Sequence, residues 1–164
     1  MLAVNKSGWA LLDFLRIGEE EIKKYDNVTG AFAILNVGGE FLFGFNPWRQ
    51  QWELPAGGIE QGETAREAAE RELLEETHQK NSKLIFKGLA KIRKPDGEIR
   101  YQAVYECFQE CLQPFDKEVD DEMDQIMVWD LKREIGYVDE CDLKILELAC
   151  LSNDSIEFVG MGNE

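Results

Sequence analysis

Apolar runs separated by turn residues make up most of the chain between residues 28 and 130. The Gly38-Gly39 and Pro95-Asp96-Gly97 segments each separate two such runs, as in strand–turn–strand units. A further run follows an acidic loop. Five segments are therefore predicted to be strands: 30–36, 40–45, 83–93, 98–111 and 125–130.

Two other segments carry signs of helices. Thr64 is followed three residues later by Glu67, which is a capping box and predicts a helix that begins near Thr64. Segment 139–151 repeats apolar residues at helical spacing, which predicts a second helix. On the first helix, small apolar and acidic side chains share one face, formed by Ala65, Ala68, Ala69, Glu72, Glu75 and Glu76.

The alternation of strands with helices predicts an α/β fold, and a length of 164 residues predicts a single domain. We divide the chain into an N-terminal extension, 1–27, a main domain, 28–151, and a C-terminal tail, 152–164. Within the extension, Trp9 to Ile17 fits either a strand or an amphipathic helix.

The charge of the chain limits its partners. Acidic residues number 33 and basic residues 18, which gives a net charge of -15. This charge argues against nucleic-acid polymers and anionic membranes, and a phosphorylated substrate would have to be held through metal ions and local cations. The four cysteines favour reduced thiols, with Cys107 and Cys111 predicted to be buried, and no segment reaches transmembrane length. A cytoplasmic protein is predicted.

The glutamates of the first helix suggest chemistry. Glu72, Glu75 and Glu76 would repel one another on an inward face unless a counter-charge were present. Carboxylate oxygens suit Mg²⁺, and Mn²⁺ is also possible. The alternative is an ordinary acidic helix with a solvated face, and the glutamates alone do not decide between the two.

A longer sequence pattern around these glutamates favours the metal site over the solvated acidic helix. Gly57, five residues, Glu63, seven residues and then Arg71-Glu72-Leu73-Leu74-Glu75-Glu76 resemble the Nudix box. His78 stands where that box has glycine, and Gln79 stands where it has an aliphatic residue. Neither position is a metal ligand in the family, but the end of the helix departs from the pattern because histidine adopts a left-handed turn less readily than glycine.

The Nudix (MutT-like) resemblance implies an α/β/α sandwich with a mixed sheet and a divalent-metal-dependent pyrophosphohydrolase. Arg71 and Glu63 would form a buried pair that orients the loop on the helix. The general base would be Glu76 or Glu122, with Glu122 favoured slightly more as an extra metal ligand than as the base. Glu118, Asp120 and Asp121 lie close enough to Glu122 that the register of this loop stays open, and an ordinary solvated acidic loop is the alternative. The implied metal ligands are the Ala56 carbonyl and the carboxylates of Glu72, Glu75, Glu76 and Glu122.

The implied substrate is a nucleoside diphosphate linked to another moiety, either ADP-ribose-like or a nucleoside triphosphate. Phe45 replaces an arginine that the family often uses on phosphate, so Arg49 is predicted to supply that cation. Trp48 could stack on a base, whereas Trp52 is predicted to lie in the core. The alternative function is a non-hydrolytic Nudix-fold nucleotide sensor, although such modules typically lose box carboxylates that are all present here. A monomer or a homodimer would fit.

Overall fold

The structure is a computed structural model that describes residues 1–151, so the predicted tail 152–164 lies outside the described residues. Two α-helices, α1 (Ala65–Thr77) and α2 (Glu140–Leu146), accompany a short 3-10 helix (Glu19–Lys24) and a π-helical turn (Glu147–Leu151). The strands are β1 (Ala3–Val4), β2 (Ala10–Leu15), β3 (Val28–Val37), β4 (Glu40–Asn46), β5 (Gln51–Glu53), β6 (Ala56–Gly58), β7 (Ile85–Arg93), β8 (Ile99–Gln109) and β9 (Gln125–Trp129).

The strands form one mixed sheet in the order β1-β2-β7-β8-β3-β4-β5, with β6 added on β3 and β9 on β4. Strands β3 and β8 run parallel, whereas β3 pairs antiparallel with β4 and β6. The parallel pair joins the N-terminal and C-terminal halves of the chain at the centre of the sheet. The predicted α/β class with a mixed sheet is confirmed.

Strand β3 shows why the sheet is covered by a helix on each face. Phe32 and Ile34 pack in the cluster that contains Ile145 and Leu146 of α2. The alternate residues Ala31, Ala33 and Leu35 pack in the cluster that contains Ala68, Ala69 and Leu73 of α1. Both faces are therefore buried, which explains the continuous apolar run in this segment. Because β3 and α1 each contribute alanines to this contact, α1 packs close to the sheet.

The N-terminal extension joins the sheet. Of the two forms left open for Trp9 to Ile17, the structure has the strand, because β2 pairs antiparallel with β7 along Ala10 to Leu15. Strand β1 in turn pairs with β2. The first 15 residues are thus part of the same folded unit as the main domain.

Several boundaries differ from the prediction. Strand β8 ends at Gln109, so Cys111 lies in the following bend and is exposed, contrary to its predicted burial, whereas Cys107 is buried. The short strands β5 and β6 were not predicted. The second helix changes to π-helical winding at Glu147. Among the described residues, none of the helices has the length and apolar character needed to cross a membrane.

Candidate active site

Helix α1 begins and ends by local side-chain chemistry. Thr64 caps the helix by accepting from the Glu67 backbone N–H at 3.0 Å, while the Glu67 carboxylate accepts from the Thr64 N–H at 2.9 Å. At the other end His78 adopts the left-handed conformation with φ 62°. Its Nε2 lies 3.1 Å from Asp121 Oδ2, a contact that helps to hold this conformation. Histidine therefore ends the helix at the position where the box has glycine.

Arg71 connects the helix to the loop before it. Its guanidinium donates to both carboxylate oxygens of Glu63, at 2.7 and 3.0 Å, and to the Gly58 carbonyl at 2.8 Å. The bond from Arg71 lowers the pKa of Glu63 to about 2. The side chains are 21% and 14% exposed, so the predicted pair forms but is only partly buried. It lies at the outer edge of the loop, where solvent still reaches both groups.

Glu72 and Glu76 line a cleft between the helix and the sheet. Glu76 is buried, and its Oε1 accepts one hydrogen bond from the Ala56 backbone N–H at 3.0 Å. Burial raises the pKa of Glu76 well above its ordinary value, and the nearby charge of Glu122 adds to this shift. Burial also raises the pKa of Glu72, although Arg71 opposes it. Glu72 is also paired with Arg71 at 3.0 Å, whereas Glu76 has no salt-bridge partner within the described residues.

Gly57 is needed for this arrangement. A Cβ atom at this position would lie 2.1 Å from the carboxyl carbon of Glu72. Any larger residue would therefore force the Glu72 carboxylate to move from this position. This close approach gives a physical reason for the glycine at the first position of the box.

The acidic loop before β9 contributes Glu122 to the same cleft. Glu122 Oε2 accepts from Asn46 Nδ2 at 3.1 Å and from Arg49 at 3.4 Å. The next residue, Met123, is buried, and its side chain fills the space above Gly44. This anchor sets the register of the loop, so that Glu122, rather than another acid of the loop, lines the cleft.

Arg49 also lines the cleft, where it donates to both oxygens of buried Glu53 at 2.7 and 3.1 Å. The bond to Glu53 raises the pKa of Arg49, which remains a cation. Its guanidinium thus links Glu53 to Glu122 at the position where a phosphate contact was predicted.

Two of the residues predicted to contact the metal or the substrate lie apart from the cleft. Glu75 is 58% exposed and contacts Arg71 at 3.2 Å. Trp48 is 84% exposed, and neither residue belongs to the described lining of the cleft. Base stacking by Trp48 and metal binding by Glu75 therefore stay predictions. Trp52 lies in the core as predicted, 7% exposed, with its indole N–H donating to the Ile135 carbonyl.

The inner end of the cleft holds a polar group that the sequence did not indicate. We call it the inner wall, formed by Asn5, Gln51, Glu53, Asp139 and Asp142. Asp139 caps α2 and also accepts from Asn5 and Gln51. Asp142 accepts from the Leu54 N–H at 2.9 Å, and burial raises its pKa well above the ordinary value. Only one residue of the inner wall is marked by a local signal in the sequence: Asp139 is an acidic residue directly before a helix, where it can cap the helix.

The cleft has a volume of about 480 Å³ and an oxygen-rich outer end. Glu72, Glu76, Glu122 and Ala56 all line it, and carboxylate and carbonyl oxygens match the ligand preference of Mg²⁺ and Mn²⁺. In residues 1–151, no three acidic, histidine or cysteine side chains are already close enough to form a complete metal cage. These residues fit a divalent cation by the chemistry of their oxygens and by the buried carboxylate of Glu76, which has no salt-bridge partner within residues 1–151.

Comparison with solved structures shows that the fold is shared with other proteins. A mutant of the pyrophosphohydrolase BsRppH of Bacillus subtilis superposes with a TM-score of 0.64 at 17% identity, over 97% of this chain and 95% of that one. The MutT NUDIX hydrolase of Burkholderia pseudomallei has a TM-score of 0.60 at 19% identity, over 73% and 95%. The NUDIX domain of Shewanella oneidensis NrtR, in complex with ADP ribose, has a TM-score of 0.60 at 14% identity, over 85% and 99%.

No curated protein matches the sequence of the chain. The profile of the NUDIX domain, however, matches residues 24–144, which is most of its length. The predicted family, its sandwich fold and its pyrophosphohydrolase class are confirmed at the level of the family. The chain belongs to the NUDIX domain family.

Proposed function

We propose that the chain is a divalent-metal-dependent hydrolase that cleaves a phosphoanhydride in a nucleoside diphosphate linked to another moiety. The observation that carries this proposal is Glu76, a buried carboxylate whose charge is opposed by burial and by Glu72 and Glu122. A group of this kind is costly without a cation. Its position in a cleft large enough for a small-molecule ligand makes a metal and a phosphorylated substrate the best fit.

The cation would be held by Glu72, Glu76 and Glu122, with the Ala56 carbonyl as a fourth donor and Glu75 at the outer side. Mg²⁺ is the proposed ion, and Mn²⁺ would serve the same ligands. When bound, such an ion neutralises diphosphate oxygens and lowers the pKa of a water nucleophile.

The protein's own residues would perform three tasks. Glu76 or Glu122 would accept the proton of the attacking water, and the raised pKa of Glu76 brings it closer to the range in which a carboxylate works as a base. Arg49 would offer charge-assisted hydrogen bonds to the diphosphate. Arg71 and Glu63 would keep the box loop on α1, and with it the Ala56 backbone beside Glu76.

ADP-ribose-like compounds and nucleoside triphosphates are both candidate substrates. Both carry a phosphoanhydride and a base, and a cleft of about 480 Å³ would take the base and diphosphate of either. A non-hydrolytic sensor is the weaker alternative, because every box carboxylate is present and Glu72 and Glu76 line the cleft.

The test is a substrate panel that contains ADP-ribose and the nucleoside triphosphates, assayed with Mg²⁺ and with the products identified. We expect release of a nucleoside monophosphate or of pyrophosphate from one group, and complete loss of activity after chelation. Binding without cleavage across the panel would support the sensor instead. Cleavage that survives exhaustive chelation would contradict the metal-dependent mechanism.

A further inference from the structure

The hydrogen-bond donors of the inner wall are already used within the protein. Asn5 donates a hydrogen bond from its side-chain nitrogen to Asp139 at 3.0 Å. Gln51 donates its amide nitrogen to Glu53 at 2.6 Å and to Asp139 at 3.2 Å. What this wall can still offer to a ligand is therefore acceptors.

One of these acceptors has no partner. Gln51 is 2% exposed and lines the cleft, yet its Oε1 makes no hydrogen bond within the described residues. The orientation of the amide is set by its surroundings, because the nitrogen faces two carboxylates and an oxygen in its place would be repelled. A buried carbonyl oxygen without a donor costs free energy, and a ligand N–H would satisfy it.

An aromatic side chain lies on the same cavity. Trp9 lines the cleft and is partly buried against the core cluster of α2. Asn5 positions the backbone of Trp9, since Asn5 Oδ1 accepts from the Trp9 backbone N–H at 3.0 Å while the Asn5 side-chain nitrogen donates to Asp139. The turn closes with Gly8 at φ +89°, a conformation that favours glycine. Trp9 thus brings a flat apolar side chain to the same cavity that Gln51 lines.

We propose that Trp9 and Gln51 form the nucleobase subsite of this cleft, in which the indole packs against the base and Gln51 Oε1 accepts a hydrogen bond from an exocyclic amino group of the base. This inference rests on the proposed function, because it assumes that the ligand is a nucleotide whose phosphates lie toward Glu72 and Glu76. Both sets of residues line the same cavity, so one ligand can reach both ends. Asn5 is a positioning residue that acts through Trp9.

An amino group fits this wall better than a carbonyl group. It brings two N–H donors to a wall to which Gln51 contributes an unpartnered oxygen and Asp142 a carboxyl group, whereas a base carbonyl would meet further oxygens. The two cations on the lining, Arg49 and Arg100, are hydrogen-bonded to Glu53 and Glu98. An aromatic ring can stack on any nucleobase, so discrimination among bases would come from the hydrogen bond to Gln51 Oε1.

The first test compares two substrates that differ by one group. Purine riboside derivatives have the adenine ring system without the amino group, and we expect their kcat/KM to be roughly tenfold lower than that of the matching adenosine derivatives. Trp9→Leu should lower kcat/KM for both by roughly tenfold, and Trp9→Phe should recover most of that loss. Phe108→Leu, an exposed aromatic outside the lining, is the control and should change neither value.

The second test does not depend on hydrolysis. The indole ¹H–¹⁵N signal of Trp9, assigned by its absence in Trp9→Phe, should shift when adenosine 5′-monophosphate is added and shift less with the purine riboside analogue. A shift of the Trp9 signal in a protein that cleaves none of the substrates would support the subsite and refute the proposed hydrolase function. Active enzyme with equal kcat/KM for both substrates, or an unchanged Trp9 signal at saturation, would refute the subsite and leave the function intact.

Discussion

Glu63, which precedes α1, and Glu76, in its last turn, lie in opposite electrostatic settings. Glu63 accepts two hydrogen bonds from Arg71, and its pKa falls to about 2. Glu76 is buried at the negative end of the helix with one backbone amide as its partner, and its pKa is raised well above the ordinary value. The first carboxylate is matched by the protein and stabilises the loop. The charge of Glu76 has no cation partner within the described residues, as expected of a carboxylate that binds a metal ion.

The substitution with the largest expected effect is Glu76→Gln, which keeps the shape of the side chain and removes its charge. We expect turnover to fall at least ~100-fold, on the scale of losing a key electrostatic group at a reaction centre. The melting temperature should stay unchanged or rise, because a buried charge has been removed. Steady-state kinetics and a thermal melt check both. A near-wild-type rate would place the chemistry elsewhere.

Arg49→Ala tests the cation that links Glu53 to Glu122 inside the cleft. Loss of a charge-assisted contact to the diphosphate should lower kcat/KM by about 10- to 100-fold for every phosphorylated substrate. The melting temperature should also fall, since Glu53 would be buried without its partner. Arg49→Lys keeps the charge and should recover part of both. An unchanged kcat/KM would show that Arg49 serves Glu53 alone.

Arg71→Ala removes the cation that pairs with Glu63. Glu63, Glu72 and the Gly58 carbonyl would lose their common donor, so the melting temperature should fall by several degrees, and activity should fall with it. Thermal melts and kinetics on the same samples test this. Full thermal stability with lost activity would instead indicate that Arg71 contacts the substrate.

The pH dependence of stability should separate the two carboxylates by sign. Glu63 has a folded pKa of about 2 against an ordinary 4.5, so its contribution is present above pH 4.5 and is lost as the pH falls toward 2. Glu76 has a raised folded pKa, so its contribution is present below pH 4.5 and is lost as the pH rises through that folded value.

In metal-free protein, Glu76→Gln should therefore gain melting temperature over the wild type as the pH rises from 4.5 to neutral, by a few degrees at most. The comparison of variant with wild type isolates Glu76 from Asp139 and Asp142, whose raised pKa values act in the same direction. A gap between the two melting curves that does not change with pH would contradict the assignment.

Local signals in the sequence were enough to predict α1, the β3–β4 hairpin and the outer end of the cleft. The capping box at Thr64 and Glu67 marks the helix start, and Gly57, Glu72 and Glu76 share a short stretch of chain whose spacing is specific. Glu122 was predictable only as one acid among several. Its choice depends on the packing of Met123 against Gly44, which are far apart in sequence.

The inner wall could not be predicted in the same way. Gln51 and Asp139 are separated by 88 residues, and Asn5 and Asp139 by 134. Each residue has an ordinary local explanation, and only the fold brings them together. The N-terminal strand is a similar case, because a short apolar segment does not distinguish a strand from a helix until its partner β7 is known.

The most direct test of the central claim is Mn²⁺ binding to metal-free protein, followed by electron paramagnetic resonance. Glu70→Gln is the matched control, since it is the same substitution on α1 outside the lining of the cleft. We predict that the wild type and Glu70→Gln bind Mn²⁺ equally, and that Glu76→Gln binds it at least ~10-fold more weakly. Equal binding by all three proteins would contradict the assignment of Glu76 to a cation site.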